Sequence, residues 1–139
     1  MPLNRFGASP QIIGNIVTLQ FAAAALDTVW PNDVVTPYTL NVNSPDQFLI
    51  RTLGDASVSE IQVPDATAQL EGKTFFIKLQ QVVLPGDTVD VLVPGAGTIS
   101  LTVLADFAQI ECQDTTPEGA AVSTYGWNIV LAVSGGIWL

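Results

Sequence analysis

The sequence contains no histidine and a single cysteine among its 139 residues. The lack of histidine removes the commonest general base and transition-metal ligand, together with the Ser-His-Asp and Cys-His catalytic arrangements. Because Cys112 has no partner in the chain, an intrachain disulfide is excluded, and we expect folding in a reducing compartment. Cys112 alternates with Ala108 and Ile110, which predicts that it faces the core as a small hydrophobic residue.

Charged residues are also scarce, at 12% of the chain, about half the share that is usual in a soluble globular protein. Only four basic residues stand against thirteen acidic ones, which gives a formal net charge of -9. Nucleic-acid binding depends on phosphate neutralisation by lysine and arginine. The composition therefore predicts no direct nucleic-acid partner.

A membrane span would account for the scarcity of charge, but the uncharged segment at residues 7–26 is interrupted by Asn15, Thr18 and Gln20. No segment reaches the roughly 20 consecutive apolar residues that a membrane-spanning helix needs. We therefore predict no membrane span. The remaining explanation is that partner subunits cover much of the surface.

Alternation of apolar and polar residues predicts short β-strands along most of the chain, and helical periodicity is nearly absent. The clearest alternation lies at Val89, Val91 and Val93 and resumes at Ile99, Leu101 and Val103. The glycines at positions 95 and 97 permit the positive φ angles of a hairpin turn between these two strands. Further strands are predicted at residues 16–21, 38–43, 47–53, 58–63, 73–80, 107–112 and 127–133.

These strands predict an all-β fold in a single domain over residues 1–139. Short loops favour antiparallel pairing, since a parallel pair needs a crossover that is usually helical. We therefore expect an antiparallel β-sandwich or barrel of jelly-roll-like type. Within it we distinguish an irregular N-terminal arm at residues 1–15, a first β part at residues 16–57, and a C-terminal β module at residues 58–139.

Two pairs of carboxylates resemble the pairs that glycoside hydrolysis requires, Asp87 with Asp90 and Asp106 with Glu111. Each pair has an odd spacing, which in a strand directs the side chains to opposite faces. The acidic residues are spaced singly, unlike those of calcium-binding loops. The glycines at positions 95 and 97 do not match a phosphate-binding loop, because no lysine follows them and no helix is predicted after them. We therefore predict no enzyme, no catalytic residues, no metal ligands and no cofactor.

The aromatic residues are the remaining candidates for binding. Trp127 alternates with Ile129 and Leu131, which predicts a core position for all three, although an exposed tryptophan could stack on a sugar ring. Trp138 follows a pair of glycines near the C-terminus, and large aromatic side chains are enriched at protein interfaces. The candidate partner-interface residues are Phe6, Trp30 and Trp138.

Several short motifs follow one another in a characteristic order over about half of the chain. They are Val63-Pro64-Asp65-Ala66-Thr67, Glu71-Gly72-Lys73-Thr74-Phe75-Phe76-Ile77-Lys78, Gly86-Asp87-Thr88-Val89, Gly97-Thr98-Ile99-Ser100, residues 107–112, and Gly126-Trp127-Asn128-Ile129-Val130. This order resembles the small β module of tailed-phage virion proteins, which include tail fibres, head fibres and capsid decoration (cement) proteins. The sequence departs from this module in two respects: it has an insertion-like stretch at residues 114–125, and it lacks the repetitive shaft of tail fibres.

The resemblance implies a compact β-sandwich or barrel that assembles as a homotrimer. Since a fibre needs a shaft, we expect a capsid cement protein, made in the host cytoplasm and located on the capsid surface of the virion. Its partners would be the major capsid protein and further copies of itself. The alternatives are a receptor-binding module of a tail or head fibre that recognises a host glycan, and a cellular carbohydrate-binding β domain.

Overall fold

The computed structural model describes residues 16–21, 33–34, 36–52, 58–82 and 86–139. Their strands form two mixed β-sheets that pack on a shared apolar core, which confirms the all-β, sandwich-like prediction. The strands are β1 (Ile16–Phe21), β2 (Asp33–Val34), β3 (Tyr38–Thr39), β4 (Gln47–Arg51), β5 (Val58–Gln62), β6 (Thr74–Gln81), β7 (Thr88–Val93), β8 (Gly97–Leu101), β9 (Phe107–Asp114), β10 (Tyr125–Ser134) and β11 (Ile137–Trp138).

The larger sheet has the strand order β11-β10-β9-β6-β4-β1-β2, and the smaller sheet has the order β3-β5-β7-β8. Each sheet combines strands from residues 16–57 with strands from residues 58–139. The sheets do not close into a barrel, so the sandwich alternative is the correct one. Within the described ranges the helical structure is one 3-10 turn at Ala68–Leu70, and no helix there is long and apolar enough to span a membrane.

The expectation of antiparallel pairing is wrong for much of the fold. Of the nine ladders between described strands, five are parallel: β1–β2, β1–β4, β4–β6, β3–β5 and β5–β7. From β3 to β7 the chain alternates between the two sheets, so each strand returns beside the earlier strand of its own sheet in the same direction. The crossover that a parallel pair requires is therefore a strand of the opposite sheet, not a helix. This pairing also departs from a jelly roll, whose strands are antiparallel.

The apolar core lies between the sheets and is formed by the inward-facing residues, which are every second residue along most strands. Phe48, Phe75 and Ile77 are fully buried from the larger sheet, and Ile61 and Val91 from the smaller one. Apolar burial of this kind contributes about 25 cal/mol for each Å² removed from water, which makes the core the main source of stability.

The hairpin predicted at residues 94–97 is present between β7 and β8, which pair in antiparallel fashion. The Ala96 backbone N–H donates to the Val93 carbonyl at 3.0 Å. Gly95 and Gly97 have φ angles of 78° and 102°, which side chains with a Cβ rarely adopt.

A β-bulge in β10 overturns one sequence prediction. The register with β9 shifts between Gln109 and Ile110, which leaves Val130 without a partner. An extra residue reverses the alternation beyond it. Trp127 and Ile129 therefore point towards the core as predicted, whereas Leu131 lies on the outer face and is 46% exposed.

We predict that Ile77→Ala lowers the free energy of unfolding by about 2–5 kcal/mol, because it removes a fully buried side chain and leaves a cavity. Gln80→Ala, on the same strand at an exposed outward position, is the control and should change it by less than about 0.5 kcal/mol. Urea denaturation of both variants measures the difference. Equal losses would contradict the assignment of inner and outer faces in β6.

Candidate functional site

Large apolar side chains stand exposed at one end of the sandwich, where the β8–β9 loop meets the β10–β11 turn. Leu104, Trp138 and Leu139 are 66%, 65% and 73% exposed, and a Cβ built on Gly136 would lie only 3.8 Å from Val103 Cγ2. Monomeric proteins rarely expose apolar groups together in this way, so such patches mark interaction sites. We call the set the apolar end: Val103, Leu104, Ile137, Trp138 and Leu139.

The buried carboxylate of Asp106 connects the two segments that form the apolar end. Its Oδ2 atom accepts hydrogen bonds from the backbone N–H groups of Thr102 at 2.9 Å, Val103 at 3.0 Å and Gly135 at 2.7 Å. Its Oδ1 atom accepts a fourth from Gly136 at 2.9 Å. Asp106 itself is only 1% exposed, and all four bonds are partly buried.

Local backbone geometry explains why the N–H groups converge on this carboxylate. Gly135 and Gly136 have φ angles of 61° and 78°, and successive N–H groups in such a turn can form a concave anion site. Ala105 also has a positive φ of 75°, and its N–H donates to the Leu79 carbonyl at 3.0 Å. The Leu79 N–H donates in turn to the Asp106 carbonyl at 2.8 Å, which fastens the loop to β6.

The electrostatics of Asp106 favour its charged form. Burial alone would raise the pKa of this carboxyl, but the four backbone N–H donors together lower the pKa below its ordinary value. The carboxylate is therefore ionised at neutral pH and keeps the loop and the turn together. A docking surface held in one conformation loses less entropy when a partner binds.

The sequence-predicted interface residues have different outcomes. Trp138 is exposed, and its ring lies edge-on to Phe107 with 5.8 Å between the centroids, so it can contact a partner. Phe6 and Trp30 lie outside the described residues. Sequence reasoning missed Leu104 and Ile137. It also extended a strand to Val103, which was wrong, because the strand ends at Leu101 and Val103 is 43% exposed in the β8–β9 loop.

Trp127 and Cys112 occupy the core positions predicted for them. The Trp127 indole N–H donates to the Pro64 carbonyl at 2.7 Å, and its ring lies 5.6 Å from that of Phe75. Cys112 is 1% exposed, and burial raises the pKa of its thiol. A protonated, buried thiol is a poor nucleophile.

The acidic pairs considered for hydrolysis do not converge. Asp87 is buried and accepts a hydrogen bond from Thr52 Oγ1 at 2.7 Å, whereas Asp90 faces outward and accepts one from Ser100 Oγ at 2.6 Å. Asp106 is buried and Glu111 is half-buried on the outer face of the larger sheet. Among the described residues, no three acidic or cysteine side chains are grouped so that they could hold a metal ion.

We predict that Asp106→Asn lowers the free energy of unfolding at pH 7 by about 2–4 kcal/mol, because buried N–H donors lose a charged acceptor. Asp90→Asn is the control, since it affects one hydroxyl contact on the outer face and should cost less than about 1 kcal/mol. Acid should reduce the difference between wild type and Asp106→Asn. Because the pKa of Asp106 is lower in the native state, its contribution to the free energy of unfolding is fully present above the ordinary pKa of 3.8. That contribution is lost as the pH falls through the native pKa.

Urea denaturation of wild type and Asp106→Asn across this pH range measures the convergence. Asp114 also has a lowered pKa, because it accepts hydrogen bonds from Thr116, but it is present in both proteins and cancels. A difference between the two proteins that stays constant down to the most acidic pH would contradict the assigned role of Asp106.

The chain matches none of the protein-family models, curated proteins or solved structures with which it was compared. The resemblance to the β module of tailed-phage virion proteins therefore remains a sequence-based expectation.

Proposed function

We propose that this chain is a virion structural protein of tailed-phage type, a capsid decoration protein that binds the outer surface of the assembled shell and stabilises it. The observation that supports this proposal is the apolar end, a preorganised surface of exposed apolar side chains. It occurs in a chain with only 12% charged residues, as expected where partner subunits cover part of the surface.

The apolar end has the chemistry of an interface core. Interface centres are depleted in charge and enriched in aromatic residues, and the apolar end consists of one tryptophan and four aliphatic residues, with no charged side chain among them. Burying one such side chain contributes about 1.5–3 kcal/mol before the entropic cost of association is subtracted. Docking would gain this contribution from each side chain of the apolar end that it buries.

The outer face of the smaller sheet has the opposite character. Glu60 and Asp90 are direct neighbours on β5 and β7 and both lie on the outer side. Like charges side by side destabilise a sheet slightly, but a solvent-facing acidic surface suppresses aggregation. The proposed orientation places the apolar end on the shell and this acidic face in solvent.

Shell stabilisation by a decoration protein follows from mass action. A protein that binds only where shell subunits meet favours the assembled state over free subunits. The major capsid protein is the proposed partner, and the proposed location is the capsid surface. Isolated capsid subunits would lack the junction and should bind weakly.

We predict that the purified chain is a homotrimer, as the resemblance implies. Light scattering should give three copies of the 14.7 kDa chain. If the Trp138→Ser substitution dissociates the trimer, the apolar end lies between copies of the chain. If the trimer persists in this variant, the apolar end is free to contact the shell. A monomer at all concentrations would contradict the trimer.

We predict that Leu104→Ser and Trp138→Ser each weaken binding to intact shells at least about tenfold, since each removes more than about 1.4 kcal/mol of apolar burial. Val122→Ser is the control, because Val122 is 73% exposed in the β9–β10 loop and outside the apolar end. Co-sedimentation with shells and with dissociated capsid subunits of the encoding phage measures both affinities. Equal binding to shells and subunits, or equal effects of all three variants, would contradict the proposal.

A further inference from the structure

The outer face of the larger sheet carries a mixed aromatic and amide surface beside the apolar end. Phe76 on β6 has a glutamine directly opposite on each side, Gln47 on β4 and Gln109 on β9. All three side chains are half-buried and point away from the core. Neighbouring strands lie about 4.8 Å apart, so the two glutamine side chains leave the sheet about that far from Phe76 on either side.

An open depression of about 370 Å³ lies over this row. Its volume falls in the range of small-ligand sites, about 300–1,000 Å³. The lining residues are Asp46, Gln47, Thr74, Phe76 and Gln109.

The Phe76 ring forms one wall of the depression. On the side away from it, Phe76 stacks on Phe107 with 5.3 Å between centroids and 28° between ring planes. Phe107 does not line the depression, so Phe76 is the aromatic residue that a ligand in it can reach. A flat apolar ring face of this kind can pack against the C–H groups of a sugar ring.

The two amides supply hydrogen-bonding groups without charge. Each glutamine side chain offers two N–H donors and one carbonyl acceptor. Within the described residues, neither the Gln47 nor the Gln109 amide hydrogen-bonds another group, so both are available to a ligand. Hydroxyl groups, which donate and accept, match such amides well.

The one charged residue among those that line the depression, Asp46, is already paired. Lys73 Nζ lies 2.7 Å from Asp46 Oδ1 and also donates to the Ser44 carbonyl at 2.6 Å. An anionic ligand would gain no unpaired cation from this pair, and a cationic one would compete with Lys73. The site therefore favours a neutral ligand.

The backbone beneath the depression is not available to a ligand. β6 pairs with β4 on one side and with β9 on the other, so its N–H and C=O groups are used within the sheet. An extended peptide that binds by adding a strand needs a free sheet edge. A compact ligand recognised by side chains fits better.

We propose that this depression binds a neutral saccharide, with Phe76 stacking on the sugar ring and Gln47 and Gln109 hydrogen-bonding its hydroxyl groups. None of these residues belongs to the apolar end, but the two surfaces adjoin, because Phe107 lies between Phe76 and Trp138 and contacts both rings. A chain with both surfaces can attach to an assembly and present a glycan-binding site.

Saturation-transfer NMR tests the site with three neutral probes, maltotriose, cellotriose and triacetylchitotriose. At least one should bind the wild-type chain with a dissociation constant of about 10 mM or tighter. Gln47→Ala and Gln109→Ala should each weaken that binding about fivefold, the effect of losing a hydrogen bond worth about 1 kcal/mol. Thermal unfolding verifies that each variant is folded, and two variants on different strands guard against one local distortion.

Gln113→Ala is the matched control, because Gln113 has the same residue type, strand and outward direction but lies outside the depression. It should leave saccharide binding unchanged. Lack of binding by all three probes, or equal weakening by Gln113→Ala, would overturn the proposal. Shell binding by Gln109→Ala should equal wild type, which separates this site from the docking function.

Discussion

The organisation of the candidate docking surface depends on one buried carboxylate. Asp106 accepts four backbone hydrogen bonds from two segments about 30 residues apart in sequence, and it remains ionised because those donors offset the cost of burial. The same loop is fastened to β6 through Leu79. A single charge thus holds the β8–β9 loop against the β10–β11 turn, and both segments carry exposed apolar side chains at this end of the sandwich.

The two segments meet because of the path that the chain takes through the sheets. From β3 to β7 the chain alternates between the sheets, which produces the parallel ladders, and after β8 it adds β9, β10 and β11 in antiparallel order beside β6. Sequence periodicity predicts the strands and their inner faces, because alternation is local. It does not predict which strands pair, because pairing is set by contacts between distant residues, and a strand replaced the helical crossover that we assumed.

The same distinction between local and distant information explains the candidate sites. Trp138 was predicted as an interface residue from its type and position, and it is exposed. The importance of Leu104 depends on its loop lying against the Gly135–Gly136 turn, which no local pattern shows. Leu131 was misplaced because the bulge opposite Gln109 and Ile110 reverses the alternation, and the Gln47-Phe76-Gln109 row arises only from the register of three strands.

Hydrogen exchange of the chain bound to intact shells, compared with the free chain, tests most directly whether the apolar end is the docking surface. The account predicts slower exchange at residues 103–104 and 135–139 on binding. Exchange should change little in β5 and β7, which are already protected in the free chain, and in the exposed loop at residues 117–123. Protection confined to that loop or to the acidic face around Glu60 and Asp90, with the apolar end unchanged, would contradict it.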